Sequence, residues 1–596
     1  MASAKTSMSS LKPHPGPLVA DMSKGLTTAA ENEKVGMESR VESTTTTTLP
    51  ANEEEFKPDL KFWLVFGALC TCSLLSALDL VGIGTAAPTI VHDLHGADFT
   101  WVSAAYALAS AACVPLSSNL AQIFGRRIMS LIGIVFFAAG SAVCGSASQM
   151  TVLVVGRAIQ GAGSGTMQAL NSMIITDLVP LRHRGAYAGV TGLVYTLGGA
   201  GGPFVAGALS EKATWRWIFY LNLPLSGIAF ASVFAFLHLK KPEGKLLDKL
   251  LDVDWIGNLL IMGSTCACMI ALTLGGVHFP WSSPRILAPL IIGGVGLVVT
   301  LFYESRWPRK PVVPLLVFSN RTSILAYIGT FIQGIVSLGI SYYLPSWFQA
   351  VKLSTPILSG LYVLPMTLTI SPSAIIQGII ISKTGRYRPL VSLSLDPRHL
   401  DLTLPQILFG WVTYLLGLGL LIILRPSTSV GVLVPIQLLA GVGNGFLYAT
   451  TVAVLAPLPI PMNPPAMAFQ VFLRQFSQAW GIAIGGTILQ NSLSSRLPAE
   501  VVTDGRFSSA GELAYAIIPA IPDLPEPLRT SVRAAFNDSF RNIWIAFTIC
   551  NAVGLLTFFG MKNFPLAKTT DGKWGIDRTP KKQESEDSAT KEKLGS

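Results

Sequence analysis

Apolar blocks about as long as a bilayer's hydrocarbon core is thick recur from Lys61 to Gly560, separated by short polar, Gly- or Pro-containing links. They predict helices at 62–84, 100–120, 128–147, 150–175, 186–209, 217–238, 255–275, 286–303, 323–348, 359–382, 408–424, 430–456, 466–490 and 542–561. The pattern is that of an all-α membrane protein with about fourteen spans. Residues 1–58 are rich in Ser, Thr, Glu and Lys, with a threonine run at Thr44 to Thr48, and read as a disordered cytoplasmic tail; 563–596 read the same way. The expected organisation is a first six-helix bundle at 59–240, two linking helices at 241–310 and a second six-helix bundle at 311–562.

Composition agrees with this pattern. Of 596 residues 50% are hydrophobic and only 13% charged, whereas soluble chains carry about 25% charge. The net charge of +10 is spread through short loops rather than gathered in one patch, which argues against nucleic acid as a partner. Basic residues mark the cytoplasmic side instead: Arg126 and Arg127; Arg182 and Arg184; Lys240, Lys241, Lys245 and Lys249; Arg306, Arg309, Lys310 and Arg321; Lys383, Arg386 and Arg388. The connection at 491–541 then lies outside, and its sequon Asn537-Asp538-Ser539 marks Asn537 as a glycosylation candidate. The seven cysteines form no CxxC pair and suggest neither a disulfide framework nor a metal site. His92, Asp93 and His95 are too small a cluster for a metal centre.

Within the apolar pattern, polar side chains are the exception. In the fourth span Arg157, Gln160, Ser164, Gln168 and Asn171 recur every three or four residues and form one stripe, with Gly161, Gly163 and Gly165 between them. An Arg near the bilayer centre costs about 2.5–3.5 kcal/mol on insertion scales, so it must face a protein interior or a wet cavity. Arg157 could anchor an anionic group, act on a nearby acid, or tie helices through backbone carbonyls. Asp79 is an acid well inside a span. Burial disfavours its charged form, and a cavity open to the outside would let it exchange a proton; the alternative is a carboxyl hydrogen-bonded in the bundle. In the thirteenth span Gln470, Arg474 and Gln478 make a second stripe, suited to a cavity wall or to a structural network. Near the end of the ninth, Tyr342, Tyr343 and Gln349 suit an aromatic cavity wall, and Trp347 reads as part of an interfacial aromatic belt.

The chain also repeats itself. GAGSG at Gly161 to Gly165 is answered by GVGNG at Gly441 to Gly445, which sets Arg157 opposite Gln437, Gln168 opposite Tyr448, and brings Asn444 into the equivalent stripe. Two such halves suggest a parallel repeat with a substrate site between them. GAGSG is not a phosphate loop: no strand precedes it and no GKS or GKT follows.

These features resemble the major facilitator superfamily, and the span count resembles its fourteen-span drug:H⁺ antiporter 2 branch in fungi. Arg157, Gln160 and Gly161 match the fourth-helix RxxQG motif. Gly198, Gly202, Pro203 and Gly207 match the antiporter motif GxxxGPxxGG, with Ala206 in place of one Gly. Leu78, Asp79, Pro88, Thr89 and Ile90 resemble an LDxTIV-type motif from which Val81 and Gly82 depart. DLVPLRHRG from Asp177 and WRWIFYLNLP from Trp215 look like fungal members. Gly125, Arg126 and Arg127 fit the cytoplasmic gate loop GxLADRxGRR, but Gln122 stands where that motif has Asp and Ser118 where it has Gly. A neutral amide makes weaker contacts than a carboxylate, so the gate is held differently or less firmly.

The resemblance implies a proton-coupled efflux antiporter, not an enzyme, exporting toxic compounds or secondary metabolites by alternating access. It needs no cofactor, draws on the proton gradient, handles an amphipathic small molecule and acts as a monomer in the plasma membrane, with the vacuolar membrane as the alternative. Spans seven and eight are then the extra linking pair, Gly198 to Gly207 a packing and bending element, and Asp79 the proton-coupling acid. A proton-coupled importer of a nutrient or siderophore, and a sensor that keeps the fold, remain as alternatives. One stretch, Val391 to Gln406, has no clear place: it reads as a translated retained intron or as a genuine cytoplasmic loop.

Overall fold

In the computed structural model of the chain, helices form at every place where the apolar pattern requires one, because a chain crossing a bilayer must satisfy its backbone groups internally. The described residues are 58–94, 99–239, 249, 251–276, 279–308, 311–384, 406–498 and 517–566. The tails and Val391 to Pro405, and with them the question of a retained intron, lie outside them. The helices are α1 (Leu60–Leu94), α2 (Phe99–Phe124), α3 (Arg126–Gly145), α4 (Met150–Leu178), α5 (Leu181–Lys212) and α6 (Arg216–Phe236). The linking pair follows as α7 (Trp255–Leu274) and α8 (Pro284–Arg306). The second half has α9 (Arg321–Lys352), α10 (Pro356–Thr384), α11 (Gln406–Leu421), α12 (Val430–Phe446), α13 (Asn463–Ser494) and α14 (Leu528–Gly560). A 3₁₀ turn at Leu447–Ala449 carries α12 on into Thr450–Leu455.

Among the described residues ten helices are long and apolar enough to cross a membrane, with α11 a shorter apolar one. The helices that miss this measure are α4, α5 and α13, which carry the polar stripes and the glycine run; their polar groups lower mean hydropathy because they face protein rather than lipid. The connection read from the sequence as 491–541 is shorter than expected. The α13 helix runs to Ser494 and α14 starts at Leu528, ahead of the apolar run, because the polar turns of α14 pack against the bundle end rather than entering lipid.

The repeat is written into the packing. A Cβ on Gly161 would lie 2.3 Å from the Tyr106 carbonyl of α2, one on Gly163 2.4 Å from the Phe137 amide of α3, and one on Gly165 2.2 Å from the Ser110 carbonyl of α2. The second half reproduces each contact: Gly441 meets the Met366 carbonyl of α10 at 2.6 Å, Gly443 the Tyr414 amide of α11 at 2.3 Å, and Gly445 the Ile370 carbonyl of α10 at 2.4 Å. Both glycine helices therefore wedge between their two neighbours with backbone touching backbone, which a side chain would prevent. The pairs α1 with α5 and α9 with α13 correspond too, through Gly198 against Leu74 and Gly481 against Ile335.

The halves meet along α5 and α10 at the end that carries the basic residues. Gly185 and Gly189 lie against Gly378 and Ile375, Thr196 shares a 2.9 Å hydrogen bond with Ser371, and Arg182 donates to the Ser382 and Lys383 carbonyls. The linking helix α7 packs on α2, where Asn258 donates to Asn119 at 3.3 Å, and its far loop reaches α13 through Trp281 to Thr487 at 2.8 Å.

Gly163→Ala is expected to destabilise the fold by about 1–3 kcal/mol, because Phe137 must move, whereas Gly227→Ala, with open space around it, is expected to be neutral. Thermal unfolding of the two purified variants checks this, and equal melting temperatures would refute the wedge.

Candidate functional site

Asp79 and Arg157, 78 residues apart, meet in the core of the first half at 2.5 Å, both fully buried. The glycines explain how: Gly198 of α5 approaches α1 at Leu74 and Ala77, one turn from Asp79, and Gly161 draws α2 onto α4. Around the pair the polar groups close a network. Arg157 also donates to the Gln160 side-chain oxygen at 2.7 Å and to the Val102 carbonyl at 3.2 Å, and its guanidinium stacks on Tyr106 at 4.2 Å. Gln160 donates back to Asp79 at 2.8 Å and to Ser141 at 2.8 Å, and Asn222 donates to Asp79 at 2.9 Å. Five helices, α1, α2, α3, α4 and α6, thus contribute to one buried charge pair. Each oxygen of Asp79 is engaged, the condition under which a charge can be held away from water.

The fourth-span stripe does not act as one surface. Arg157 and Gln160 turn into this network, and Asn171 donates to Ser73 and the Leu69 carbonyl of α1, both at 3.1 Å. Gln168 alone of the set points across to the other half, where Gln475 of α13 donates to it at 3.0 Å; Ser110 of α2 donates to Gln475 at 3.4 Å. Gln475 was missed by reading α13 every four residues, although it stands next to Arg474 in the chain.

In the second half the expected cavity residues also divide. Gln470 donates to Thr330 of α9 at 3.1 Å, and Asn444 donates to Ser337 at 2.9 Å while accepting from Gln333 at 3.0 Å, so both tie helices within that half. Gln437, the counterpart of Arg157, is fully buried with neither amide atom hydrogen-bonded. Arg474, half-buried, lies over the Tyr448 ring at 4.6 Å, and Gln478, also half-buried, follows one turn later. Of the antiporter-motif positions, Gly198 makes the close approach to α1 and Gly202 is buried; Pro203 and Gly207 fall within α5, but their side-chain surroundings lie outside the described residues.

At the gate loop Gly125 takes φ 99°, a left-handed geometry suited to glycine, and starts α3. Arg126 pairs with Asp177 of α4 at 3.1 Å, both buried, and donates to the Ala121 carbonyl at 2.8 Å. Arg127 donates to the Phe234 carbonyl at 2.5 Å and covers that ring. The Nε2 of Gln122 is buried without a hydrogen bond, so the charged contact of this loop comes from Asp177, at the start of DLVPLRHRG.

Two expectations are corrected. Trp347 is no belt residue: it is fully buried and donates to Asn537 at 3.2 Å. That contact also removes Asn537 as a glycosylation site. It lies buried in α14 with its oxygen accepting from Trp347 and its Nδ2 donating to the Leu424 carbonyl at 3.3 Å, which leaves no room for a glycan. Nearby, Tyr342 is exposed, Tyr343 donates to the Ile482 carbonyl and Gln349 to Ser359 at 2.9 Å. Asp93, from the histidine cluster, accepts from Trp215 at 2.9 Å; the His92 side chain and His95 lie outside the described residues.

Comparison with known proteins bears on the same span of chain. The sequence profile of the Major Facilitator Superfamily matches residues 69–486. The chain is 33% identical over 534 residues to the efflux pump FUS6 of Gibberella fujikuroi, covering 88% of this chain and 93% of that one. It is 33% identical over 531 residues to the acurin A biosynthesis cluster MFS-type transporter of Aspergillus aculeatus, covering 87% and 92%. Its fold is similar to that of the proton:xylose symporter XylE, with a TM-score of 0.51 at 12% identity over 83% of this chain and 95% of the other.

Arg157→Gln, which leaves Asp79 charged and unpaired, is expected to cost about 3–5 kcal/mol of stability, and the double variant Asp79→Asn, Arg157→Gln to recover more than half of that loss. A double-mutant unfolding cycle measures both; additive losses would mean that the two groups do not depend on one another.

Proposed function

We infer the function from the premise that this chain belongs to the major facilitator superfamily and is therefore a multi-pass membrane transporter: it is a proton-coupled efflux antiporter that exports secondary metabolites or toxic compounds. The observation that carries the export reading is the match, over nearly the whole length of both chains, to a relative named as an efflux pump and to another named for a biosynthesis cluster. The cargo is an amphipathic small molecule, the chain acts as a monomer, and the membrane is the plasma membrane. Transport draws on the proton gradient without a cofactor; the membrane potential supplies about 2.3 kcal/mol per charge per 100 mV.

Asp79 is the coupling acid in this reading. A proton arriving on its carboxyl cancels the charge that Arg157, Gln160 and Asn222 converge on, and releases those donors together. Because the donors come from α4 and α6, while Asp79 sits on α1 beside the Gly198 contact with α5, their release loosens the inner face of the first half. A local protonation thereby changes how that half packs.

Expression in a drug-sensitive yeast is expected to raise tolerance to at least one compound of an amphipathic toxin panel, and Asp79→Asn to abolish that gain at unchanged protein level. In vesicles carrying the chain, collapse of an imposed pH gradient stops movement of the same compound. Absence of gradient-driven flux in either orientation would overturn antiport.

A further inference from the structure

The charge of Arg474 has no counterpart. Among the described residues α9, α10, α11, α12 and α13 contain no Asp or Glu, and no hydrogen bond or ion pair engages the Arg474 side chain. Its Nε is shut away from solvent without a hydrogen-bond partner, and its guanidinium lies over the face of Tyr448. The residue lies about 7 Å along α13 from that helix's midpoint, a depth at which an unpaired cation is costly. Arg157 and Arg126, by contrast, are buried and each face a carboxylate at 3.1 Å or less.

The position faces the seam between the halves. Gln475, the next residue, is hydrogen-bonded to Gln168 and Ser110 of the first half. Gln478 presents a half-buried amide one turn further along α13. A planar fork of donors held against an aromatic face suits a flat anionic group attached to an apolar body.

We propose that Arg474 is the anion-binding group of the cavity between the halves, and that the cargo of this chain carries a carboxylate or another group of like charge. The guanidinium supplies the charge-assisted contact, Tyr448 holds it in place from below, and Gln168 and Gln478 complete the polar side. In the empty protein the price of the unpaired charge is limited by stacking on Tyr448, so that an entering anion gains the whole of a fresh ion pair. The proposal specifies the cargo within the export reading above and rests on it for direction only.

The test is binding, which needs no gradient. Full-length protein in nanodiscs of uncharged phosphatidylcholine is dialysed against 1-pyrenebutyrate and 1-pyrenebutanol, which share an apolar body and differ in charge, with empty nanodiscs as the blank. The native chain is expected to bind the carboxylate about tenfold or more tightly than the alcohol, Arg474→Gln to bring the two within about twofold while still binding the alcohol, and Arg474→Lys to keep part of the preference. Equal affinity in the native chain, including no binding of either probe, overturns the proposal, as does a preference that survives Arg474→Gln. Loss of the preference when phosphatidylserine is added assigns the site to lipid headgroups and overturns it too. Charge preference without gradient-driven flux would keep this inference and remove the export reading; gradient-driven flux with no charge preference would do the reverse.

Discussion

A full ion pair held in the middle of a membrane bundle is expensive unless hydrogen bonds surround it, and the first half engages both oxygens of Asp79 and two of the three guanidinium nitrogens of Arg157. Asp79 and Arg157 are bonded by Gln160, Asn222 and the Val102 carbonyl, with Ser141 behind Gln160, and with the pair itself the network spans five helices. The close approaches at Gly161, Gly165 and Gly198 are what bring the donors within range, so packing and electrostatics in this half are a single requirement.

The second half repeats the packing and omits the chemistry. Its glycines wedge between α10 and α11 as their counterparts do between α2 and α3, yet Gln437 replaces the arginine and has no partner. Arg474, on α13, stands instead beside Gln475, which is hydrogen-bonded to the first half. One half therefore sets its arginine against a carboxylate, and the other leaves Arg474 without an acid partner among the described residues.

Much of this was legible in the chain. Ten of the spans follow from length and hydropathy, and the GAGSG and GVGNG segments announce the repeat because only glycine permits those contacts. The pairing of Asp79 with Arg157 was not legible, since neither residue carries a mark of its partner 78 positions away, and Ser141 is as ordinary as any serine in a helix. Local signals also misled. Trp347 sits near a helix end, where belt and core tryptophans look alike, and the Asn537 triplet ignores what α14 packs against. The gate-loop substitution at Gln122 pointed to a gate held differently or less firmly, and Asp177, from another helix, is the acid that faces Arg126.

The seam between α5 and α10 has a consequence for motion. Where Gly185 and Gly378 touch, backbone slides on backbone, and no side chain has to change rotamer or leave a socket for the helices to part. Such a contact behaves as a slip plane: it resists compression but offers little resistance to shear. The hold is then concentrated at its two fastened ends, Arg182 on the Ser382 and Lys383 carbonyls and Thr196 on Ser371. Because these fastenings involve neutral acceptors rather than paired charges, the seam can come undone and re-form without stranding a carboxylate in the bilayer.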